Sequence, residues 1–487
     1  MRFRAQKRAW FMFKYVFMCF VAICLVGCDK APLNQLQHIK QNKVLRVGTL
    51  AGPGNYYQGT TGEQGFEYEL ASEFANELGV ELHIVPYFNL DELFARLDAG
   101  DLDIVASAVS FHPSRTAQYR FGPTYRMISQ KLVYKQGREW PRDFDDIKVP
   151  ITVLAHSNHV IALEEAKTSH PHLSWEVVSD KGEEELLQAI IDGEIDYTIT
   201  DSHSLALFRR YHPTVSIAFS VTKDEHVAWM MRNEKDDSLY ALLPAFFARV
   251  QQNNFLATLE EKYFGHIEEF NYVNTLAFVE AVHSTLPTYL KWFKSYSKQH
   301  NIDWRLLAAV SYQESMWDPR AKSPTGVRGI MMLTQPTAKK VGVTNRLNAQ
   351  QNIEGGAKYL RILFDRMPEE IQQPDSTWLA LASYNVGWGH VRDARNITAD
   401  QGGDPNNWAD VKKRLPLLTK KRYYRNTRYG YARGDVAVTY VDNIRRYYDA
   451  LVWLEDNGAL LPDSSKASSQ TTPVDNPDKA SEVEKQQ

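Results

Sequence analysis

Residues 303–334, DWRLLAAVSYQESMWDPRAKSPTGVRGIMMLT, predict a helix that carries one carboxylate to a pocket, then a Gly/Pro-punctuated loop and a second apolar segment. Asp303 is an N-cap candidate for a helix over Trp304–Met316. Leu307, Val310 and Glu314 stand at i, i+3 and i+7, so they share one helical face. That face is otherwise apolar. A carboxylate there must find a partner, take up a proton, or sit in a cleft. Poor solvation of its charged form raises its pKa, which suits a general acid near neutral pH. Taken alone, the stretch fits a catalytic carboxyl and an ordinary polar residue at the edge of a core helix equally well.

The chain around it has 487 residues, enough for two or three domains. Its hydrophobic content of 44% and charged content of 24% are those of a soluble globular protein. A net charge of −3 gives no ground for a nucleic-acid partner, and no stretch resembles a nucleic-acid module. The three cysteines, Cys19, Cys24 and Cys28, all lie near the start. They accompany Arg2, Arg4, Lys7 and Arg8 and an apolar run, Tyr15–Val26, too short for a stable transmembrane helix but suited to a signal segment. The run ends in Leu25-Val26-Gly27-Cys28, which resembles a bacterial lipobox and implies lipidation of Cys28. A simple signal peptide or an uncleaved anchor fits the same residues. Each reading implies export and a membrane-proximal start, and a body without cysteine implies a fold that needs no disulfides. Residues 1–28 are thus expected to be the signal segment and 29–42 a polar tether. Asp29 after Cys28 resembles an inner-membrane retention signal.

From 43 to 268 strands alternate with helices, the pattern of parallel α/β architecture. The expected elements are strands Val44–Leu50, Val80–Pro86 and Asp103–Val109 and helices Glu67–Leu78 and Leu90–Leu97. DAGDLDIVAS at 98–107 and IDGEIDYTIT at 191–200 form a weak internal repeat, each following an acidic, leucine-bearing helix. Two such units suggest two related lobes with a ligand cleft between them. LRVGT at 45–49, GFEYELASEFANELGV at 65–80, ASAVSFHPSRTAQYRFGPTY at 106–125, DGEIDYTITD at 192–201 and LEEKYFG at 259–265 resemble the family-3 periplasmic solute-binding proteins, which bind amino acids. The resemblance implies a two-lobed, non-catalytic, regulatory domain. In it Arg115 meets a ligand carboxylate and Asp201 an ammonium, with Tyr56, Tyr57, Ser107 and Ser110 as lining candidates. A lobe that no longer binds anything fits the same residues.

After Gly265–Glu269 helices take over, giving an all-α domain expected over 269–460 and a disordered polar tail over 461–487. Helices are expected over Val273–Thr285, Pro287–His300, Trp304–Met316, Pro336–Val341, Ile353–Arg366, Ser376–Val386, Trp408–Leu415 and Val436–Glu455. Glu314-Ser315, the run Gly329-Ile-Met-Met332, Asn352 to Leu360, Ala382-Ser-Tyr384-Asn385 and Tyr440-Val441 recur in the order of the soluble-type lytic transglycosylases (family 1) and resemble their lysozyme-like domain. Two residues depart from that pattern: Met332 where the family has Gln, and Ser383 where it has Ala.

This resemblance implies a peptidoglycan lytic transglycosylase. It would cleave the β-1,4 bond between N-acetylmuramic acid and N-acetylglucosamine and leave a 1,6-anhydromuramoyl end. Glu314 would act as acid and then base, with Ser315, Met332, Tyr384, Asn385 and Tyr440 at the substrate. The implied partners are peptidoglycan strands, an amino acid or muropeptide at the first domain, and a membrane. The implied place is the periplasmic inner leaflet of the outer membrane, against which Asp29 points to the inner one. No cofactor is implied, and the fourteen His form no HExxH-type metal motif. The second carboxylate of an ordinary glycosidase has one nearby candidate, Asp318. Pro319 makes Asp318 a turn or cap residue. Two other readings stay open: a peptidoglycan-anchored sensor with an inactive helical domain, and a muramidase that uses water. The basic, Tyr-rich stretch KKRYYRNTRYGYARG at 420–434 reads equally as a saccharide-cleft lining and as a solvated loop.

Overall fold

A computed structural model describes residues 33–460, apart from 53, 60–61, 211, 266–271 and 324–325. The signal segment with Cys28 and the tail from 461 lie outside the described residues. The expected tether is in part a helix, Gln35–Asn42, capped by Asn34 and tied to the first lobe by the buried Ile39.

Two five-stranded sheets form the first half. The first has the order Glu81–Tyr87, Val44–Leu50, Ile104–Val105, Met230–Arg232, Tyr119–Phe121. The second has the order Trp175–Val178, Ile151–Leu154, Tyr197–Asp201, Gln130–Lys135, Val215–Ser220. In each, three parallel strands are followed by two that run antiparallel to their neighbours. The sequence repeat maps onto this duplication. Leu90–Asp98 and Glu183–Asp192 are the paired helices, and Gly100 (φ 81°) and Gly193 (φ 79°) make the left-handed turn after each. The expected strand Asp103–Val109 is shorter than its sequence suggests, Ile104–Val105 only. Its entry is fixed where Arg46 forks onto Asp103, Nη2 to Oδ1 at 2.7 Å. Its exit is fixed where Ala108 takes φ 50° and turns the chain out of the sheet. A two-stranded antiparallel ribbon, Arg126–Ile128 with Glu225–Val227, links the lobes.

From Tyr272 the described chain is helical, and no named strand occurs among its described residues. Trp304–Ser315 is the central helix. Leu306 to Tyr312 are all buried, so it is a core helix on every side rather than an amphipathic one. It packs against the long C-terminal helix Gly434–Asp456. Helix Trp388–Asp400 was not expected from the sequence. Gly387 (φ 89°) both ends Asp375–Val386 and starts this helix, so it is a corner between two helices.

The halves meet through helix Phe255–Tyr263. The carboxylate of Glu261 takes the guanidinium of the buried Arg445 and the ammonium of Lys412 at 3.3 Å. Arg210 reaches Asp449 at 2.7 Å. These pairs leave water together and stand only because each charge has its partner.

Candidate active site

Asp303 caps the central helix as expected, its Oδ1 accepting from the Arg305 amide at 2.9 Å. The helix ends at Ser315, earlier than Asp318-Pro319 requires. Met316 (φ 53°) and Trp317 (φ 61°) both turn left-handed, and the Trp317 indole is buried with Nε1 donating to Ala308 O at 2.9 Å. Burying that ring fixes the turn and holds Glu314 in the last helical turn. Asp318 is exposed and accepts from the Arg320 amide at 2.8 Å, a turn residue outside the cleft.

Glu314 opens into a cleft of about 340 Å³ lined by Gln313, Asn385, Asp435, Val436, Thr439, Tyr440 and Asn443. Its Oε1 accepts from the Tyr440 hydroxyl at 2.6 Å. Burial pushes its carboxyl up to about 7, and the Tyr440 bond holds it back only in part. The carboxyl therefore carries a proton over much of the near-neutral range, yet faces a space open to ligand. Asn385 is exposed and lines the same cleft.

The other predicted site residues stand behind this cleft. Ser315 Oγ donates to Ile330 O at 2.8 Å, and Ser311 Oγ to the same oxygen at 3.0 Å. The Tyr384 hydroxyl donates to Met331 O at 2.9 Å. Asn352, fully buried, accepts from the Met331 amide at 2.7 Å and donates to Arg346 O at 2.9 Å. The run 329–332 is thus pinned by side chains from three helices. Gly329 (φ 88°) is required there, because a Cβ would stand 2.0 Å from Arg346 O. Met332 (φ 46°) closes the turn, its amide donating to Gly329 O, and is not among the residues lining the cleft. Ser383 is buried and returns its hydroxyl to Leu379 O at 2.7 Å. Asp435 is the residue the sequence reading missed. It is a second carboxylate at the cleft, exposed in the first turn of the C-terminal helix, far from Glu314 in the chain.

The interlobe cleft contrasts with this one. It measures about 80 Å³ and is lined by residues that include Arg115, Ser107, Ser110, His159, Glu183 and Asp201. Tyr56 and Tyr57 do not line it; their hydroxyls bond Glu63 at 2.9 Å and Gln64 at 2.7 Å. Arg115, in one lobe, donates to His156 O in the other and lies 5.2 Å above the Phe94 ring. Burial lowers its pKa. Asn158 Nδ2 crosses to Ser110 O at 2.9 Å. Asp201 caps its own helix, accepting from the amides of His203 and Ser204 at 2.8 Å and the Ser204 hydroxyl at 2.7 Å. Beside it Glu183 is half-buried, and desolvation together with the Asp201 charge pushes its carboxyl up to about 8. His159 is pushed down to about 4 by burial. Glu183 escaped the sequence reading because it opens a run of three glutamates at a helix start.

Residues 45–266 match the bacterial extracellular solute-binding proteins, family 3, and residues 291–407 match the transglycosylase SLT domain. The second match stops short of Asp435 and Tyr440. Among solved structures, an arginine-binding protein mutant from T. maritima is 22% identical, covering 47% of this chain and 99% of that one at a TM-score of 0.43. A membrane-bound lytic murein transglycosylase F from Pseudoalteromonas translucida is 61% identical over 92% of this chain and 95% of the relative. One from Idiomarina loihiensis is 52% identical over 92% of this chain and 98% of the relative. With a matched domain for each half and relatives of this identity over nearly their whole length, the chain belongs to the membrane-bound lytic murein transglycosylase F family.

Proposed function

We propose that this chain is a murein-degrading lytic transglycosylase in which Glu314 is the single acid and base. It acts on the β-1,4 bond between N-acetylmuramic acid and N-acetylglucosamine and leaves a 1,6-anhydromuramoyl end. The observation that carries the assignment is a carboxyl with its pKa raised to about 7 at the floor of an open cleft, touched by one hydroxyl. In its protonated form Glu314 gives its proton to the leaving glycosidic oxygen. The resulting carboxylate then takes the proton of the muramoyl C6 hydroxyl as that oxygen closes onto C1. Tyr440 supports the charged form between these steps, because its hydroxyl donates to Oε1. Asn385, which lines the same cleft, hydrogen-bonds the sugar. Ser315 and Tyr384 act through the 330–331 backbone they hold, rather than by touching the substrate. Glu314→Gln is expected to lower turnover on purified sacculi by about a thousandfold, within the range for removal of a general acid. Wild-type digestion by that variant would remove Glu314 from the mechanism.

The first domain takes an amino acid or muropeptide between its lobes, with Arg115 and Asp201 as contacts, and so regulates the second. What supports this is the family match over 45–266 and the convergence of Arg115, Ser110, Glu183 and Asp201 on one interlobe cleft. The enzyme is held at the membrane on its periplasmic face through Cys28. The relatives are membrane-bound by name, and among the described residues no helix is long and apolar enough to cross a membrane.

A further inference from the structure

Between Leu415 and Gly434 the chain holds six cations, Lys420, Lys421, Arg422, Arg425, Arg428 and Arg433, and no Asp or Glu. All six side chains are exposed, and among the described residues none is paired with a carboxylate. Like charges crowded on one short segment repel, and ordinary solvated surfaces intersperse the two signs.

The segment is also built to stay in place. The buried Asp393 accepts from the amides of Arg428 at 3.2 Å and Tyr429 at 2.8 Å. The Tyr429 ring lies against Gly389, where a Cβ would meet it at 2.7 Å. The Ala432 amide donates to Leu418 O at 3.3 Å. Gly434 lies so close to Leu415 O that a Cβ there would stand 1.8 Å from it. Arg422 and Arg428 lie 4.6 and 5.6 Å over the rings of Tyr423 and Tyr429. Backbone anchors and ring faces hold the strap, and the charged heads are left to solvent.

Its position gives it a use. The strap runs directly into Asp435, Val436, Thr439 and Tyr440, which line the Glu314 cleft. Its other anchor, Gly389, follows closely in the chain after Asn385, which lines the same cleft. A glycan strand in this cleft carries peptide stems on its muramoyl lactyl groups, and those stems bear free carboxylates. We propose that the 420–433 strap is a binding surface for the stem-peptide carboxylates of the glycan in the Glu314 cleft, making the enzyme selective for peptide-bearing over stripped strands. The inference rests on the reading of that cleft as the glycan site. Arg425, Arg428 and Arg433 are closest in sequence to the cleft and supply the planar forks that match carboxylates.

The test uses the full chain in detergent and two immobilised substrates: glycan strands with their peptides, and the same strands stripped by an amidase that removes the stems. Kd is read on both by interferometry, so the result does not depend on turnover. The wild type is expected to bind the peptide-bearing strands about tenfold more tightly at low salt, a preference that added salt erodes. The triple variant Arg425→Gln/Arg428→Gln/Arg433→Gln is expected to bring the ratio of the two Kd values close to one. A wild-type ratio near one, a ratio unchanged in the triple variant, or equal weakening on both substrates would each overturn the proposal. Failure of the underlying reading looks different: no glycan binding by the wild type on either substrate, or full sacculus digestion by Glu314→Gln.

Discussion

The two clefts of this molecule use similar side chains to opposite ends. Between the lobes, the Asp201 carboxylate is taken up by its own helix and the Arg115 guanidinium by a backbone oxygen across the gap, leaving about 80 Å³. In the helical half, Glu314 meets one tyrosine and about 340 Å³ of open cleft. Both places hold a carboxyl raised by burial, Glu314 to about 7 and Glu183 to about 8. A raised pKa therefore does not by itself mark a reacting group. Glu183 also lines its cleft, but one of its oxygens already accepts from the Thr200 hydroxyl and the Asp201 amide. Glu314 stands where a ligand can reach it. Room in the cleft separates the two, and that room depends on which neighbours have already satisfied the polar groups.

The largest expected difference between the two carboxyls is in stability. A carboxyl raised from 4.5 to about 7 binds its proton more tightly folded than unfolded. Its contribution is fully present below pH 4.5 and is lost as pH rises through about 7. Glu314→Gln, which cannot ionise, is therefore expected to be more stable than the wild type at pH 8 by about 2 kcal/mol, discounted for the open cleft, and equal to it at pH 4. Urea unfolding at the two pH values checks this. Equal stability at pH 8 would mean that the carboxyl is well solvated.

Next in size is Tyr440→Phe. Its hydroxyl stabilises the charged form of Glu314, so removing it raises the Glu314 pKa. The alkaline limb of the rate against pH is expected to move up by about one unit, and turnover to fall by roughly tenfold because the second step needs the carboxylate. A fall in rate with an unmoved pH profile would give Tyr440 a packing role only.

Smallest is Arg115→Ala, which removes one hydrogen bond across the lobes, worth about 1 kcal/mol. The first domain is expected to open, read as a larger radius of gyration by X-ray scattering. An unchanged radius would mean that Asn158 to Ser110 and its neighbours hold the lobes without Arg115.

Much of this architecture is legible in local chemistry. The duplicated Asp-Ala-Gly and Asp-Gly-Glu signals mark the ends of paired helices, because glycine alone turns left-handed there without strain. Asp303 announces its helix for an equally local reason. The rest is non-local. Asp435 and Tyr440 come to Glu314 only because the C-terminal helix packs beside the central one. The early end of that central helix is set by where the Trp317 ring is buried rather than by Pro319. Helix Trp388–Asp400 is hard to see locally because glycines stand at and near both of its ends, and glycine is the commonest signal of a turn or loop. Met332 is the remaining surprise: the turn uses its backbone at φ 46°, and nothing among the described contacts explains its thioether.

The central claim is that one carboxyl does both proton transfers and that water does not attack C1. Digestion of purified sacculi by the full chain in ¹⁸O-labelled water, followed by mass spectrometry of the muropeptides, tests it most directly. The expected products are 1,6-anhydromuramoyl ends free of label. Reducing muramic ends carrying ¹⁸O would contradict it, and would make Asp435, the second carboxylate at the cleft, the first residue to examine as the base that activates water.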